Sequence, residues 1–411
     1  MSRRSLRAPA FLLFALAAFA LYWAVRLAWA EWLARSRDPA RFEQALRWAP
    51  FEPRYWKRLA QLDPNRRVEA LRRAVELNPY DSAAWIELGL LAEAARDLSR
   101  AESCLLKAAE VDRRYEPRWV LAGFYFRRGQ AEAFWRWVRE AAAISGDDPR
   151  PLFRLCWEFS QDPELILRRA LPDRPAMLAA YLSFLLAENR IGAGAAVAAR
   201  LLDSGGRQAG PVLLAYCERL VELGDATAAL RLWNRMAERG LVRTRPLSPS
   251  RGLLLSNGDF AFRPLGAGFD WRLPYSEGVR TIWTGYPSGV KVSFSGRQPE
   301  QCELLVQFLP WAPAGRYRLR FHYRTAGIPA ASGLRFEFGQ AASPPLSSEQ
   351  WRAEEFGFLL AEAAPLTKLV LAYRRPPGAV RIQGALWLAQ VELNLIAAGG
   401  RPGSVESSKR R

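Results

Sequence analysis

Histidine, cysteine, methionine and lysine are all scarce in this sequence of 411 residues. It contains one histidine, four cysteines and three methionines, and only five of its 59 basic residues are lysine. The single histidine, His322, lies inside the strand-like stretch YRLRFHYRT, and the sequence has no serine or cysteine nucleophile motif, no HExxH and no glycine-rich phosphate loop. The sequence therefore predicts a chain that is not an enzyme and that needs no cofactor.

The four cysteines do not describe a metal site. Cys104, Cys156, Cys217 and Cys302 are far apart and show no CxxC or Cys/His spacing. Three of them lie in apolar helical patterns, where a free cysteine behaves as a small hydrophobic residue. The pattern leaves a disulfide open, and we predict no metal.

The formal net charge is +18, and the arginines are spread along the whole sequence rather than collected into one stripe. Nucleic-acid binding normally uses a concentrated basic patch, so we expect no nucleic-acid partner. The apolar fraction of 50% is that of a folded chain, and the length predicts two or three domains.

A long uncharged segment lies near the N-terminus. Three arginines precede the run of residues 8–25, which is long enough to cross a bilayer. A cleaved signal peptide is the alternative, because Ala28-Trp29-Ala30 fits a signal-peptidase site. The run is longer than the usual core of a signal peptide, however, and Arg26 separates it from that site. We therefore predict a retained transmembrane anchor at 8–25.

Aromatic residues cluster at the far end of the anchor, as they do at membrane interfaces. They are Tyr22, Trp23, Trp29 and Trp32. A head of seven residues is too short to fold, and anchors of this kind commonly leave it in the cytoplasm. We expect a cytoplasmic head at 1–7, with the bulk of the chain in the periplasm or outside a bacterial inner membrane.

Residues 38–240 show helical periodicity with an internal repeat. The segments 43–56, 69–85 and 101–119 align with one another, and each ends at a tryptophan. These residues, Trp56, Trp85 and Trp119, are separated by 29 and 34 residues. Small residues recur between them, which lets two helices approach closely.

The best copy, Ser82 to Tyr115, resembles the tetratricopeptide repeat. Its signature positions hold Trp85, Leu88, Gly89, Ala101, Leu105 and Ala108. The resemblance implies a helical-repeat solenoid over 38–240, although only helical periodicity supports it between 152 and 203. It also implies a concave surface that binds a protein partner, formed in the two best copies by Ala83, Ile86, Leu90, Glu93, Val120, Phe124, Arg127 and Arg128.

The spacing of apolar residues changes from a period of 3.6 residues to a period of 2 after a polar linker at 241–252. Alternating segments such as VKVSF, YRLRFHY and LRFEF are separated by Gly, Pro and Ser clusters, which is typical of an all-β sandwich. We predict a sandwich at 253–396 and a disordered tail at 397–411. The expected fold class is thus multidomain: a transmembrane helix, an all-α solenoid and an all-β jelly roll.

The order of segments in the sandwich resembles the galactose-binding-like jelly rolls of carbohydrate-binding modules. It opens with Asn257-Gly258-Asp259-Phe260, which matches the first strand of such modules, and closes with GALWLAQVEL at 384–393. Many of these modules hold calcium near both ends. Asp259 and Glu392 are possible oxygen ligands, but the acidic pair of the closing segment is missing, so we predict no metal here.

A saccharide site needs flat aromatic faces beside polar side chains. Trp283 and Tyr286 lie in a turn-rich segment and, with Trp311, are the candidates for carbohydrate binding. We expect Trp271 and Trp351 to lie in the core of the sandwich instead.

Two functions fit this organisation. The favoured one is a membrane-anchored scaffold of the bacterial envelope, whose repeats bind a protein and whose sandwich contacts glycan or protein, in envelope polysaccharide assembly or export. The alternative is a saccharide-acting module, lectin-like or glycoside-hydrolase-like, with the repeats as a spacer. No spacing among Asp259, Asp270, Glu277 and Glu303 singles out the carboxylate pair that hydrolysis needs.

Overall fold

The computed structural model describes residues 7–36, 38–146 and 148–398. Residues 1–6 of the predicted head and 399–411 of the predicted tail lie outside these ranges. The described chain consists of an apolar N-terminal helix, a run of helical hairpins and two antiparallel sheets, which confirms the expected fold class at this level. It divides into two compact units, one that extends to Pro172 and one that begins at Asp173.

The first unit is entirely helical in its described residues. Its helices are α1 (Arg7–Ala34), α2 (Pro39–Trp48), α3 (Pro53–Leu62), α4 (Arg67–Leu77), α5 (Ser82–Ala94), α6 (Leu98–Val111), α7 (Tyr115–Arg127), α8 (Ala131–Ile144), α9 (Arg150–Phe159) and α10 (Pro163–Arg169). Short turns join them, and each helix packs against the next as an antiparallel hairpin.

Acidic caps and prolines explain where these helices begin. The Asp81 carboxylate accepts a hydrogen bond from the backbone N–H of Ala84 at 3.1 Å, and Asp97 accepts one from Arg100 at 3.1 Å. Pro53 lies in the first turn of α3, where its missing N–H costs nothing. Such caps satisfy the free N–H groups of each first turn.

The repeated tryptophans have one structural role in two successive hairpins. The indole nitrogen of Trp56 donates to the carbonyl oxygen of Pro50 at 2.9 Å, and Trp85 donates to Pro79 at the same distance. The small residue at Gly89 is also required, since a Cβ there would lie 2.7 Å from the Leu105 side chain. The helical repeat predicted from the sequence is therefore present in this part of the chain.

The second unit contains four more α-helices among its described residues, followed by the sheets. The helices are α11 (Pro175–Ala187), α12 (Gly194–Ser204), α13 (Gly210–Glu222) and α14 (Ala226–Glu238). They pack as two hairpins, α11 with α12 and α13 with α14.

The strands form two antiparallel sheets around one hydrophobic core. They are β1 (Val279–Thr284), β2 (Gly289–Ser295), β3 (Gln301–Ala312), β4 (Gly315–Ala326), β5 (Leu334–Phe338), β6 (Ala341–Ala342), β7 (Arg352–Leu360), β8 (Ala364–Arg374) and β9 (Gln383–Ala398). One sheet has the order β1-β2-β9-β4-β7 and the other β3-β8-β5-β6. Alternation along each strand directs every second side chain into the core.

The segment Asn257 to Phe260 is not a strand, and the prediction that it forms the first strand is wrong. It lies in a turn, with φ of 49° at Asn257 and 51° at Phe260. Regular extended backbone has negative φ, and the Asn257 side chain stabilises the turn by donating to the carbonyl of Phe262 at 2.9 Å. The first strand begins at Val279.

Helix α14 lies against β3 and β8, on the outer face of the four-stranded sheet. The buried ring of Trp233 packs edge-on against Phe269 with centroids 6.0 Å apart. Gly268 makes this approach possible, since a Cβ there would lie 2.5 Å from the Trp233 ring. The last helices and the sheets therefore share one packed interface.

A partly buried ion pair joins the same elements. The Glu218 carboxylate on α13 accepts the backbone N–H of Gly268 at 2.6 Å and the Arg272 Nε–H at 3.3 Å. Residues 241–252, predicted as a linker, are also held in place: the Asn234 side chain pairs with the backbone N–H and carbonyl of Leu247 at 2.7 and 2.8 Å.

Candidate functional site

The predicted concave surface of the helical repeats is only partly exposed. Ala83, Leu90 and Arg127 are exposed and Glu93, Val120 and Arg128 are half-buried, whereas Ile86 and Phe124 are buried. Ile86 and Phe124 therefore pack inside the hairpins and are not available to a partner. The Arg128 guanidinium covers the ring of Phe124, with its carbon 5.3 Å from the ring centroid.

An ion pair crosses this surface from one hairpin to the next. The Arg127 guanidinium on α7 donates to both carboxylate oxygens of Glu93 on α5, each at 2.7 Å. The hydrogen bonds that Arg127 donates to Glu93 raise the pKa of Arg127. The pair links α5 to α7. Leu90, which is 42% exposed, is the exposed large apolar side chain among the eight predicted residues.

The carbohydrate candidates in the sandwich do not form one platform. Trp283 is half-buried against the core, and its indole nitrogen donates to the carbonyl of Phe260 at 2.8 Å. Tyr286 is 98% exposed after β1, whereas Trp311 lies on β3 of the other sheet.

The two tryptophans expected in the core behave differently. Trp271 is buried, which confirms the expectation. Trp351 is 51% exposed, which overturns it, because this residue lies in the turn before β7 and outside the strand alternation that would direct it inward.

A cavity in the second unit has a volume of about 900 Å³. Its walls come from residues 242–247, from the turn around Asp259 and from the β9 residues 391–394. Asp259 and Glu392, the two predicted oxygen ligands, both line it. In the described ranges, no group of three or more His, Cys, Asp or Glu side chains could hold a metal ion.

Sequence reasoning missed a row of basic residues on β4. We expected dispersed charges, but Arg316, Arg318, Arg320, His322 and Arg324 alternate with buried residues and all face outward. They lie on the fourth strand of the five-stranded sheet, between the central strand β9 and the edge strand β7. The signal was present in the sequence as the alternation RYRLRFHYR, which we used only to predict a strand. We call these five residues the basic ladder.

No model of a known protein family matches the sequence, and no curated protein matches it. Several solved structures are similar at low identity. The protein YrrB, described as a TPR protein with an unusual peptide-binding site, is 10% identical, with a TM-score of 0.24; the match covers 48% of this chain and 91% of YrrB.

PilF of Pseudomonas aeruginosa is 16% identical with a TM-score of 0.25, and the match covers 45% of this chain and 90% of PilF. A tetratricopeptide repeat protein from Parabacteroides merdae is also 16% identical, with a TM-score of 0.26 and coverage of 41% and 71%. TM-scores this low do not support inference about partners, so the surfaces above rest on their own geometry.

Proposed function

We propose that this chain is a non-catalytic interaction protein of the bacterial envelope, anchored in the inner membrane by α1 with its bulk in the periplasm or outside. The helical repeats bind a protein partner, and the sandwich makes a second contact, with glycan or protein. Assembly or export of an envelope polysaccharide is the setting that this pairing of modules suggests.

The observation that carries the proposal is the continuity of α1. Residues 11–21 are all exposed, and the stretch Phe11–Ala34 is apolar and long enough to span a bilayer. The same helix then becomes part of a folded hairpin, because Ala30, Leu33 and Ala34 are buried in its core. An apolar helix that is exposed along its first part and packed in a core at its end supports insertion of that first part in lipid.

Two hydrogen bonds attach the end of α1 to the helices that follow. Arg26 Nε donates to the carbonyl of Trp48 at 2.6 Å, and the Tyr55 hydroxyl donates to Glu31 at 2.9 Å. Burial and the bond to Glu31 raise the pKa of Tyr55 to about 12.

Cleavage after Ala30 would remove part of this packing. It would take away the buried Ala30 and the Arg26 bond to Trp48, and it would cut α1 in its last turns. This supports a retained anchor over a cleaved signal peptide.

The anchor is tested by mass spectrometry and extraction of the chain expressed in a Gram-negative bacterium. We expect an intact N-terminus, and a protein that stays with membranes at alkaline pH and enters solution only with detergent. A mature protein that begins after residue 30 and is released at alkaline pH would contradict the anchor.

The protein partner is tested by photocrosslinking in cells, with a photoreactive amino acid at position 90. Leu106 on α6 is the matched control, because it is a leucine of the same exposure, 41% against 42% at Leu90, on the second helix of the same hairpin. We expect a discrete crosslinked protein from position 90 and none from position 106. Equal labelling at both positions would show that the concave surface is not the binding site.

A further inference from the structure

The outer faces of the two sheets differ in whether other parts of the chain cover them. The outer face of the four-stranded sheet carries Val306, Val370 and Ala372, which are buried, and α14 lies against β3 and β8. On the five-stranded sheet, by contrast, Arg316, Arg318 and Arg320 are exposed to solvent. This second face is therefore open to a ligand within the described structure.

The basic ladder gives that face a regular array of positive charge. Alternate residues of a strand are about 7 Å apart, so the ladder from Arg316 to Arg324 extends over roughly 27 Å. Arg318 is paired with Glu355 of β7 at 2.9 Å. Arg316 and Arg320 form no ion pair among the described residues, and their guanidinium groups are free to bind anions.

The far end of the ladder is held in position by an aromatic ring. Arg324 and, from β2, Lys291 both lie over the indole of Trp387 on β9, at 4.4 and 5.0 Å from its centroid. The Nε of Arg324 is buried and has no hydrogen-bond partner among the described residues. Two cations from the strands on either side of β9 are thus held against one indole ring, and the Arg324 guanidinium keeps hydrogen-bonding capacity.

The basic ladder borders the 900 Å³ cavity, whose lining carries charges of both signs. Asn394 and Glu392 of β9 lie opposite Arg318 and Arg320 in the β4–β9 register, and both line the cavity. Arg243 and Arg245 line the same cavity. A ligand on the ladder can therefore extend into it.

We propose that the outer face of the five-stranded sheet binds a linear polysaccharide that carries carboxylates. The guanidinium group forms paired hydrogen bonds with carboxylates, and an extended polymer with repeated acidic sugars presents them along a line, as the ladder requires. This identifies the chemistry of the second contact in the proposed function and rests on that proposal.

Other anionic partners fit this face less well. Single-stranded nucleic acid needs free aromatic faces for base stacking, and the Trp387 ring is already occupied by two cations. A bilayer surface needs apolar side chains that enter it beside the basic ones. On the neighbouring strands β7 and β9, exposed large apolar side chains flank only the Arg316 end, namely Leu359 and Ile396.

The test measures binding of the detergent-solubilised full chain to an oligogalacturonate, with a neutral maltooligosaccharide as the reference. The double variant Arg316→Gln, Arg320→Gln removes two unpaired ladder arginines. The matched control is Arg251→Gln, Arg297→Gln, which changes the net charge equally at two exposed arginines outside β4. Glu355→Gln releases Arg318 and removes a negative charge from the face.

We expect oligogalacturonate to bind and the maltooligosaccharide not to bind. The ladder variant should weaken binding at least about tenfold, since charged hydrogen bonds are lost, the control should leave it within about twofold, and Glu355→Gln should strengthen it. Failure to bind, or equal loss in both double variants, would overturn the proposal.

A different partner would also be visible in this design. Binding to vesicles of anionic phospholipid with no binding to oligogalacturonate would replace the polysaccharide with a membrane surface and overturn the proposal. The anchor and the repeat surface are tested separately by extraction and by the crosslink at position 90, so a failure on the ladder leaves those results standing.

Discussion

Gly268 is the single residue on which the joint between helix and sheet depends most directly. Its φ is 62°, and a Cβ would lie 2.5 Å from the Trp233 ring. Gly266 is a matched control, since its φ is 72° but nothing lies within 4 Å of a Cβ there. We expect Gly266→Ala to lower the free energy of unfolding by about 1–2 kcal/mol through backbone strain.

Gly268→Ala should lower the free energy of unfolding by about 1–3 kcal/mol more than Gly266→Ala does, because it adds a steric clash with Trp233 to the same backbone strain. The comparison is made by denaturant unfolding of the full chain in detergent, followed by tryptophan fluorescence. Equal losses for the two variants would show that Trp233 moves aside without cost.

Asp112 gives a prediction about pH at the residue scale. Hydrogen bonds from Arg114, opposed by partial burial, hold the pKa of the Asp112 carboxyl well below its usual range, and Ser82 also donates to it at 2.8 Å. The unfolded chain therefore takes up this proton first, near pH 4. The stabilisation is fully present above that pH and is lost as the pH falls toward the folded pKa.

The free energy of unfolding should therefore fall less below about pH 4 in Asp112→Asn than in the native chain. Arg114→Gln keeps the carboxylate but should also make this fall smaller. The measurement is the denaturation midpoint between neutral pH and pH 3. Identical pH profiles for the native chain and both variants would contradict the assignment.

At the scale of elements, the hydrogen bonds of Trp56 and Trp85 to the preceding prolines explain why these tryptophans recur. Replacing either by phenylalanine removes a donor from a carbonyl that it satisfies, which costs about 1 kcal/mol. Trp119 occupies the next repeat position, but in the described structure its indole nitrogen makes no hydrogen bond. Trp119→Phe should therefore cost less than Trp56→Phe or Trp85→Phe in the same unfolding assay, and an equal cost for all three would assign the effect to lost volume.

The periodicity of apolar residues predicted the helices and strands well, but it did not predict the packing between residues distant in sequence. The helices of the repeat and strands such as β4 follow from periods of 3.6 and 2. The turn at Asn257 was missed because its positive φ depends on its own side-chain hydrogen bonds. The ion pair of Glu218 with Arg272 joins residues 54 apart in sequence, and no periodicity reports such a contact.

The functional surfaces were predictable to different degrees for the same reason. Leu90 is exposed on α5, whereas Phe124 is buried, and the repeat pattern alone does not specify that burial. The basic ladder was readable from β4 alone. Its place in the fold required the sheet order, which puts those arginines between β9 and β7 on a face where Arg316, Arg318 and Arg320 are exposed.

At the scale of the whole molecule, the compact units divide after Pro172, within the stretch predicted as one helical array. The last four helices belong with the sheets, so a fragment of residues 173–398 should be more stable than one of residues 250–398. The shorter fragment loses the buried Trp233 and leaves Arg272 without Glu218. Loss of one such aromatic costs about 3–5 kcal/mol.

Thermal unfolding of the two fragments tests this division. We expect the shorter fragment to melt more than about 10 °C lower or to be unfolded at room temperature. Equal melting temperatures would mean that the sheets form an independent domain and that the helices only rest on them.

The unbroken course of α1 also has a mechanical consequence. Between Phe11 and Ala34 the helix contains no proline or glycine at which it could bend, and its last turns are fixed by packing and by the bonds of Arg26 and Glu31. In a membrane, the first hairpin could therefore not swivel about its anchor. A force on that hairpin would tilt α1 in the bilayer. The anchor would therefore set the orientation of the hairpin relative to the membrane as well as its distance from it.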